Sequence, residues 1–362
     1  MFPLLEARKV QRVGYSTLTI SLPRPWVEDV KLKAGDIISI RREDDGTLRL
    51  ILGNEHRQEE VKNCVINADL CDSHNLLTRV ITANYILGHD TIQIVAREEL
   101  KRSHLQEIRA TTQHVTGLSI VELALRQITL QSFIDPTRFP IYGLMRRLHI
   151  IISSMLDVSI RALLEGRPER AAEVPHMEEE SDRIYWLIVR QLLVVIGDRS
   201  TASKMGLESP MHIVGNRLVA KTLEEMADAA ENIANEVLAL KDQEAVSETI
   251  LNDLARFSTQ VTTLSEHIFK AFLIGDIKLA NEAMEMVETT ERDERRLTQK
   301  VLTHVKDASV AASLRIIFRN LGQIAKYCTI IGEVTINRIM EKPSDICEYT
   351  PVQYAQTKPD AR

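Results

Sequence analysis

A short pattern occurs twice in this chain. Arg161-Ala162-Leu163-Leu164-Glu165-Gly166 returns as Lys270-Ala271-Phe272-Leu273-Ile274-Gly275 at a shift of 109 residues, and Leu223, Ala227 and Ile233 return as Leu321, Ala325 and Ile331 at a shift of 98. Two offsets within one region mean a duplicated unit whose second copy has a shorter loop before its last helix. The region is helical by periodicity. In the stretch Lys221 to Val237, for instance, Leu223, Met226, Ala227, Ala230, Ile233, Ala234 and Val237 recur at three- and four-residue steps and line one helix face. The unit reads as a helix from Ile141 to Glu165 stopped at Gly166, a second from Glu169 to Ile196 with a kink at Pro175, and a third opened by the cap pair Ser209-Pro210. Residues 137–241 and 243–342 are therefore expected to form two antiparallel three-helix bundles in tandem.

On the edge of its apolar face the third helix carries Glu224 and Asp228, at i and i+4, and the second helix carries Glu178 and Asp182 at the same spacing. Neighbouring turns place each pair on one side, close enough to repel when ionised and to share a cation. Four clustered carboxylates suit hard, oxygen-seeking ions: magnesium, manganese, ferric iron or zinc. The blander account is a solvated face, which is the reading given to Glu179, Glu180 and Glu225. The second copy departs from the pattern. Gly322 and Lys326 stand where the acids belong, and its middle helix offers Val287 with Glu291, or Glu288 with Arg292, depending on register. An ammonium repels a cation in a confined site, so one metal site is expected, not two.

The Glu-x-x-x-Asp pairs on consecutive helices, with Leu223-Glu224-Glu225-Met226-Ala227-Asp228 followed by Asn232-Ile233-Ala234, resemble the PhoU family of phosphate-uptake regulators. That resemblance spans both repeats. It implies that Glu178, Asp182, Glu224 and Asp228 hold a divalent or trivalent metal ion, and that the partner is a subunit of a phosphate ABC transporter.

A net charge of −6 argues against nucleic-acid binding by the whole surface, but the first 26 residues are basic, with Arg8, Lys9, Arg12 and Arg24 against Glu6 alone. Here Leu18-Thr19-Ile20-Ser21-Leu22 alternates as a strand does, Pro23 to Trp26 opens a short helical turn, Lys33-Ala34-Gly35-Asp36 reads as a turn, and Ile37 to Ile40 and Leu48 to Leu52 flank a hairpin at Asp45-Gly46. So few strands have too little core to stand alone. Arg8 to Gln11, Gly14, Ser16 to Ser21, Leu22-Pro23, Trp26, Leu32 to Asp36 and Asp45-Gly46 resemble the AbrB/SpoVT family of swapped-hairpin DNA-binding domains over residues 1–53. The resemblance implies a homodimer, or a higher even oligomer, that lays Arg8, Lys9, Arg12 and Arg24 onto DNA.

Asn54 to Glu60 is polar and reads as a linker. Residues 60–135 alternate strand and helix patterns as a small α+β module without readable chemistry, and the tail 343–362 reads as a loose extension. The fold class is thus multidomain and mainly α: a swapped-hairpin β domain, an α+β middle module and tandem helical bundles. Cys64, Cys71, Cys328 and Cys347 make no Cys-x-x-Cys motif, which fits a reducing cytoplasm. The first residues lack the features of a signal peptide, and the run from Leu187 to Gly197, broken by Arg190 and Gln191, is too short to span a bilayer. No membrane insertion is expected.

An enzyme is not expected either. A ferritin-like di-metal site needs Glu-x-x-His on two helices, and the one match, Glu173 to His176, is interrupted by Pro175. The combined architecture resembles that of archaeal-type phosphate uptake regulators. It implies a phosphate-responsive DNA-binding regulator acting at promoters of phosphate-uptake genes. The alternative is an adaptor that restrains the phosphate transporter, with the N-terminal domain serving dimerisation alone.

Overall fold

The structure is a computed structural model that describes residues 7–42, 46–52, 63–197, 199–207, 209–240, 246–344 and 346–348. The linker expected over 54–60 and most of the tail expected over 343–362 lie outside the described residues. The chain divides into two compact units, Met1–Val61 and Lys62–Arg362.

In the first unit, β1 (Gln11–Val13) and β2 (Thr17–Thr19) form a hairpin in which Arg12 faces Leu18. The strand expected from Leu18 begins one residue earlier and stops at Thr19. Helix α1 (Arg24–Asp29) follows Pro23, with Pro25 in its first turn, where no backbone N–H is needed. Strands β3 (Ile38–Arg42) and β4 (Leu48–Leu52) pair antiparallel, Ile38 with Leu52 and Ile40 with Leu50. The two hairpins form separate two-stranded sheets. Not one described side chain of this unit is buried: Val10, Val13, Leu18, Ile20, Ile37, Ile40 and Leu48 are each at least 56% exposed.

The second unit opens with the α+β module. Strand β5 (Asn63–Asn67), α2 (Leu76–Ile86), β6 (Thr91–Val95), α3 (Arg102–His114), β7 (Leu118–Leu123) and β8 (Gln127–Ser132) give a four-stranded sheet in the order β5-β6-β8-β7. The pairing β5 to β6 is parallel, as the crossover through α2 requires, and the rest is antiparallel. Ile92, Ile94, Ile128 and Leu130 alternate onto the face that meets Leu77, Ile81 and Ile108 of the two helices.

Helix α4 (Ile141–Leu164) starts the bundle and ends where Gly166 takes φ +67°. Its repeat counterpart α8 (Glu248–Ile274) ends at Gly275 with φ +70°, so both glycines supply the left-handed stop that a side chain resists. The second helix differs from expectation. Residues 168–173 form a 3-10 helix, and α5 (Val174–Val194) starts at Val174. Pro175 is therefore a first-turn residue and makes no kink, because its missing N–H lies among those a helix start leaves unbonded.

A short helix α6 (Arg199–Lys204) precedes α7 (Pro210–Ala239), whose cap Ser209 accepts a hydrogen bond from the Met211 amide. In the second copy α9 (Ile277–His304) and α10 (Ala308–Ile339) are separated by 305–307 alone, against 195–209 in the first. That is the shorter loop read from the two offsets.

Helix α7 packs on α4, α5 and α10, and α10 on α8, α9 and α7, so the two bundles share one core along α7 and α10. Every apolar residue read onto the buried face of Lys221 to Val237 is fully buried. Arg190 and Gln191, which interrupt the apolar end of α5, are buried and bind the α+β module to the bundle. Arg190 donates to the carbonyls of Tyr85 and His89, lies 3.3 Å from Asp90, and covers the Tyr85 ring at 4.9 Å. The Gln191 amide donates to the Pro136 carbonyl at 3.2 Å. All four cysteines are free thiols, and among the described residues no helix is long and apolar enough to cross a membrane.

Candidate functional sites

Helices α5 and α7 bring all four predicted carboxylates into one electrostatic cluster. Glu178 hydrogen-bonds Asp182 along α5, and across the helix pair Asp228 raises Glu178 while Asp182 raises Asp228. Burial, then the charges of Asp182, Glu231 and Asp228, pushes Glu178 up to about 8. Burial also raises Asp182, against the hydrogen bond from Glu178 and the positive fields of His114 and Lys221. Glu224 and Asp228 are raised by burial as well, Glu224 despite its hydrogen bond from Lys221. A half-buried group of acids that burial and one another's charge push upward is short of positive charge.

Three residues that sequence reasoning left out belong to the cluster. Glu231, one turn beyond Asp228, is raised by burial and by Asp228 and Asp182. Its i+3 spacing from Asp228 was the available signal. Glu225, read as a solvated acid, instead accepts from the Tyr327 hydroxyl at 3.1 Å and from Lys221 at 2.7 Å, and these bonds lower it. His114, at the end of α3, reaches the cluster from the α+β module, and nothing local in the sequence places it there. Glu179 and Glu180 do behave as surface acids, paired with Arg183 and, for Glu180, also with Arg147.

The carboxylates close enough to touch one ion are Glu224, Glu225 and Asp228, each offering an oxygen within 4.8 Å of the others. Glu178 and Asp182 couple to that trio without belonging to it. The donors are all oxygen, which fits a hard cation and gives a thiophilic one nothing to prefer. Lys221 contacts both Glu224 and Glu225, so a metal ion must displace its ammonium.

In the second repeat Lys326 stands at the place of Asp228 and lies 3.7 Å from Glu291, itself at the place of Asp182. Acid faces acid in the first copy, and ammonium faces acid in the second. Gly322, at the place of Glu224, leaves the space that the Glu294 carboxylate occupies, so a Cβ there would have to push that carboxylate aside. Among the described residues this repeat assembles no group of three metal-ligating side chains.

On the N-terminal unit, Arg8 and Lys9 precede β1, Arg12 lies within it and Arg24 opens α1, and all are exposed. The Arg24 guanidinium donates to Glu28 at 2.8 Å in a fully solvated i,i+4 pair, which holds it weakly. Tyr15 stands wholly exposed at the tip of the first hairpin.

A PhoU domain family model matches residues 145–237, which run from α4 through α7 and hold all four predicted metal-site carboxylates. The structure of PhoU from Pseudomonas aeruginosa superposes with a TM-score of 0.50 at 16% identity, covering 56% of this chain and 96% of that one. The helical half has the PhoU fold. The phosphate transport system regulatory protein PhoU from Streptococcus pneumoniae is also similar, with a TM-score of 0.48, 16% identity, and coverage of 57% of this chain and 96% of that one. The PhoU family model ends at residue 237, before the repeat in which Gly322 and Lys326 replace the acids. A second family model, antidote-toxin recognition MazE, a bacterial antitoxin, matches residues 11–56, the segment read as an AbrB/SpoVT-like hairpin domain. Comparison with curated proteins gives no match.

Proposed function

We propose that this chain is a cytoplasmic regulator of phosphate uptake, in which a dimer of N-terminal hairpin units binds DNA and the PhoU-fold bundle senses through a hard metal ion. The observation that carries the reading is the union in one chain of a PhoU-fold bundle with a MazE-like hairpin unit whose first 26 residues are basic and in which no described side chain is buried. A second copy is the natural cover for its apolar side chains, each of which stabilises by roughly 1.5–3 kcal/mol when fully buried. Pairing the units brings Arg8, Lys9, Arg12 and Arg24 together twice over on an otherwise acidic protein.

The test is fluorescence anisotropy of the full chain on its own upstream DNA and on scrambled DNA across a salt series. Eight basic side chains give a log–log salt slope as steep as about −7. Binding should prefer the native sequence and weaken in Arg8→Ala and Arg24→Ala. Equal, weak binding to both DNAs would remove DNA from the reading and leave a dimeric adaptor acting on a phosphate transporter subunit.

A further inference from the structure

The second repeat is more than a degraded copy of the first. Arg315 and Arg319 on α10 stand 98 residues after Arg217 and Lys221 on α7. In the first repeat those two cations are occupied. Arg217 lies over the Tyr185 ring at 5.4 Å, and Lys221 is held by Glu224 and Glu225. In the second repeat each of these partners is gone: Glu294 replaces Tyr185 at the shift of 109, and Gly322 and Gln323 replace the two acids. Arg315 and Arg319 remain exposed, and Arg295 reaches the same place from α9. Among the described residues none of the three is within salt-bridge distance of a carboxylate. They line one groove of about 230 Å3 between α9 and α10, together with Glu294, Thr298, Gln299 and Leu302.

We infer that this groove binds a protonated phosphoryl oxyanion, in the first place inorganic phosphate. Three guanidinium groups from two helices match the charge and the several oxygens of such a ligand, since each planar fork pairs two oxygens. Thr298 and Gln299 add neutral donors. Glu294 decides between oxyanions. The absence of a side chain at Gly322 lets its carboxylate lie against α10 beside the groove, where burial raises it against the fields of Lys326, Arg319 and Arg295. A fully ionised anion such as sulfate meets a repelling carboxylate there, whereas hydrogen phosphate donates its P–O–H proton to it. The site shares no residue with the acidic cluster on α5 and α7, so it stands or falls independently of metal binding and of DNA binding.

The experiment is calorimetric titration of the metal-free full chain, in the presence of chelator, with sodium phosphate and separately with sodium sulfate. Saturable phosphate binding, about tenfold or more tighter than sulfate, is the expected result. The double variant Arg315→Ala with Arg319→Ala should weaken phosphate by roughly 100-fold, and Glu294→Gln should bring sulfate level with phosphate. Both arginines are exposed, and an unchanged circular dichroism melt confirms that the variant is folded. Methyl phosphate in competition separates the sources: displacement at equal concentration assigns the groove to phosphate esters as well, and failure to displace assigns it to the free ion. Phosphate and sulfate binding alike in the native chain, no saturable phosphate binding, or full binding by the double variant would overturn the inference.

Discussion

Binding of a metal ion to the α5–α7 cluster should eject a proton, and the number ejected tells which carboxylates hold the ion. Glu178 is pushed up to about 8 by burial and by its acidic neighbours. At pH 7 a group of that pKa keeps its proton in about nine molecules of ten. An ion that recruits all four predicted carboxylates must ionise Glu178, and it releases about 0.9 proton from this residue alone. The release falls to about 0.1 at pH 9, where the group is already ionised. Affinity should climb close to tenfold per pH unit between about 6 and 7.5 and level off above about 8.

The assay is calorimetric titration with manganese in buffers of different ionisation enthalpy, where the slope of observed heat against buffer enthalpy is the proton count. Glu178→Gln should flatten that slope at pH 7. A saturable titration with no buffer dependence would refute the four-carboxylate site and confine the ion to Glu224, Glu225 and Asp228, which are near one another without Glu178. Equal heats for the native chain and for Asp228→Ala would remove the metal site altogether.

Three further outcomes follow from other parts of the molecule. His149 stacks on Phe269 at 4.3 Å and hydrogen-bonds Ser265, and burial lowers it to about 4; because the unfolded chain takes up that proton first, stability should be full above about pH 6.5 and fall by up to about 3 kcal/mol toward pH 4. Urea unfolding at pH 7 and pH 4.5 checks this, with His149→Phe expected to remove that share of the difference. Arg190→Ala leaves the Tyr85 and His89 carbonyls and Asp90 without their shared donor, and should cost about 3–5 kcal/mol, read by hydrogen exchange as selective loss of protection in α2 and β6. The proposed pairing of hairpin units predicts that the native chain sediments as a dimer and that Ile40→Glu sediments as a monomer, while the thermal transition of the bundle stays where it was.

The bundle was legible because its signals are local and repeated. The two offsets gave the duplication, the glycine stops at 166 and 275 gave helix ends, and the spacing of Leu223 to Val237 gave a core face that is fully buried. Pro175 was misread because a proline reads alike as a kink and as a first-turn residue, and the choice turns on where the helix begins. Glu225 was assigned to solvent because its partner Tyr327 lies 102 positions away on the other repeat. His114 was invisible for the same reason, since no spacing on α3 announces a cluster on α5. Arg190 was noted as an interruption of an apolar run, and its role as a clamp needed the α+β module in place beside it.

The duplication also explains how such a costly arrangement is kept. Acids gathered on a half-buried helix pair raise one another's pKa, so in the absence of a counter-charge each ionisation opposes folding. The first repeat meets part of that cost with Lys221, which can be displaced because it sits 42% exposed on the rim. The second repeat meets it differently, with Lys326 standing at the position of Asp228, 3.7 Å from Glu291. With Gly322 and Gln323 at the places of Glu224 and Glu225, Arg315 and Arg319 of α10 have no carboxylate within salt-bridge distance among the described residues. A duplicated scaffold can therefore offer a negative face and a positive face about one shared core, with α7 and α10 in direct contact between them. Charge reversal at a few positions is enough, because the residues that build the core, Leu223, Ala227 and Ile233 and their counterparts Leu321, Ala325 and Ile331, are unchanged between the copies.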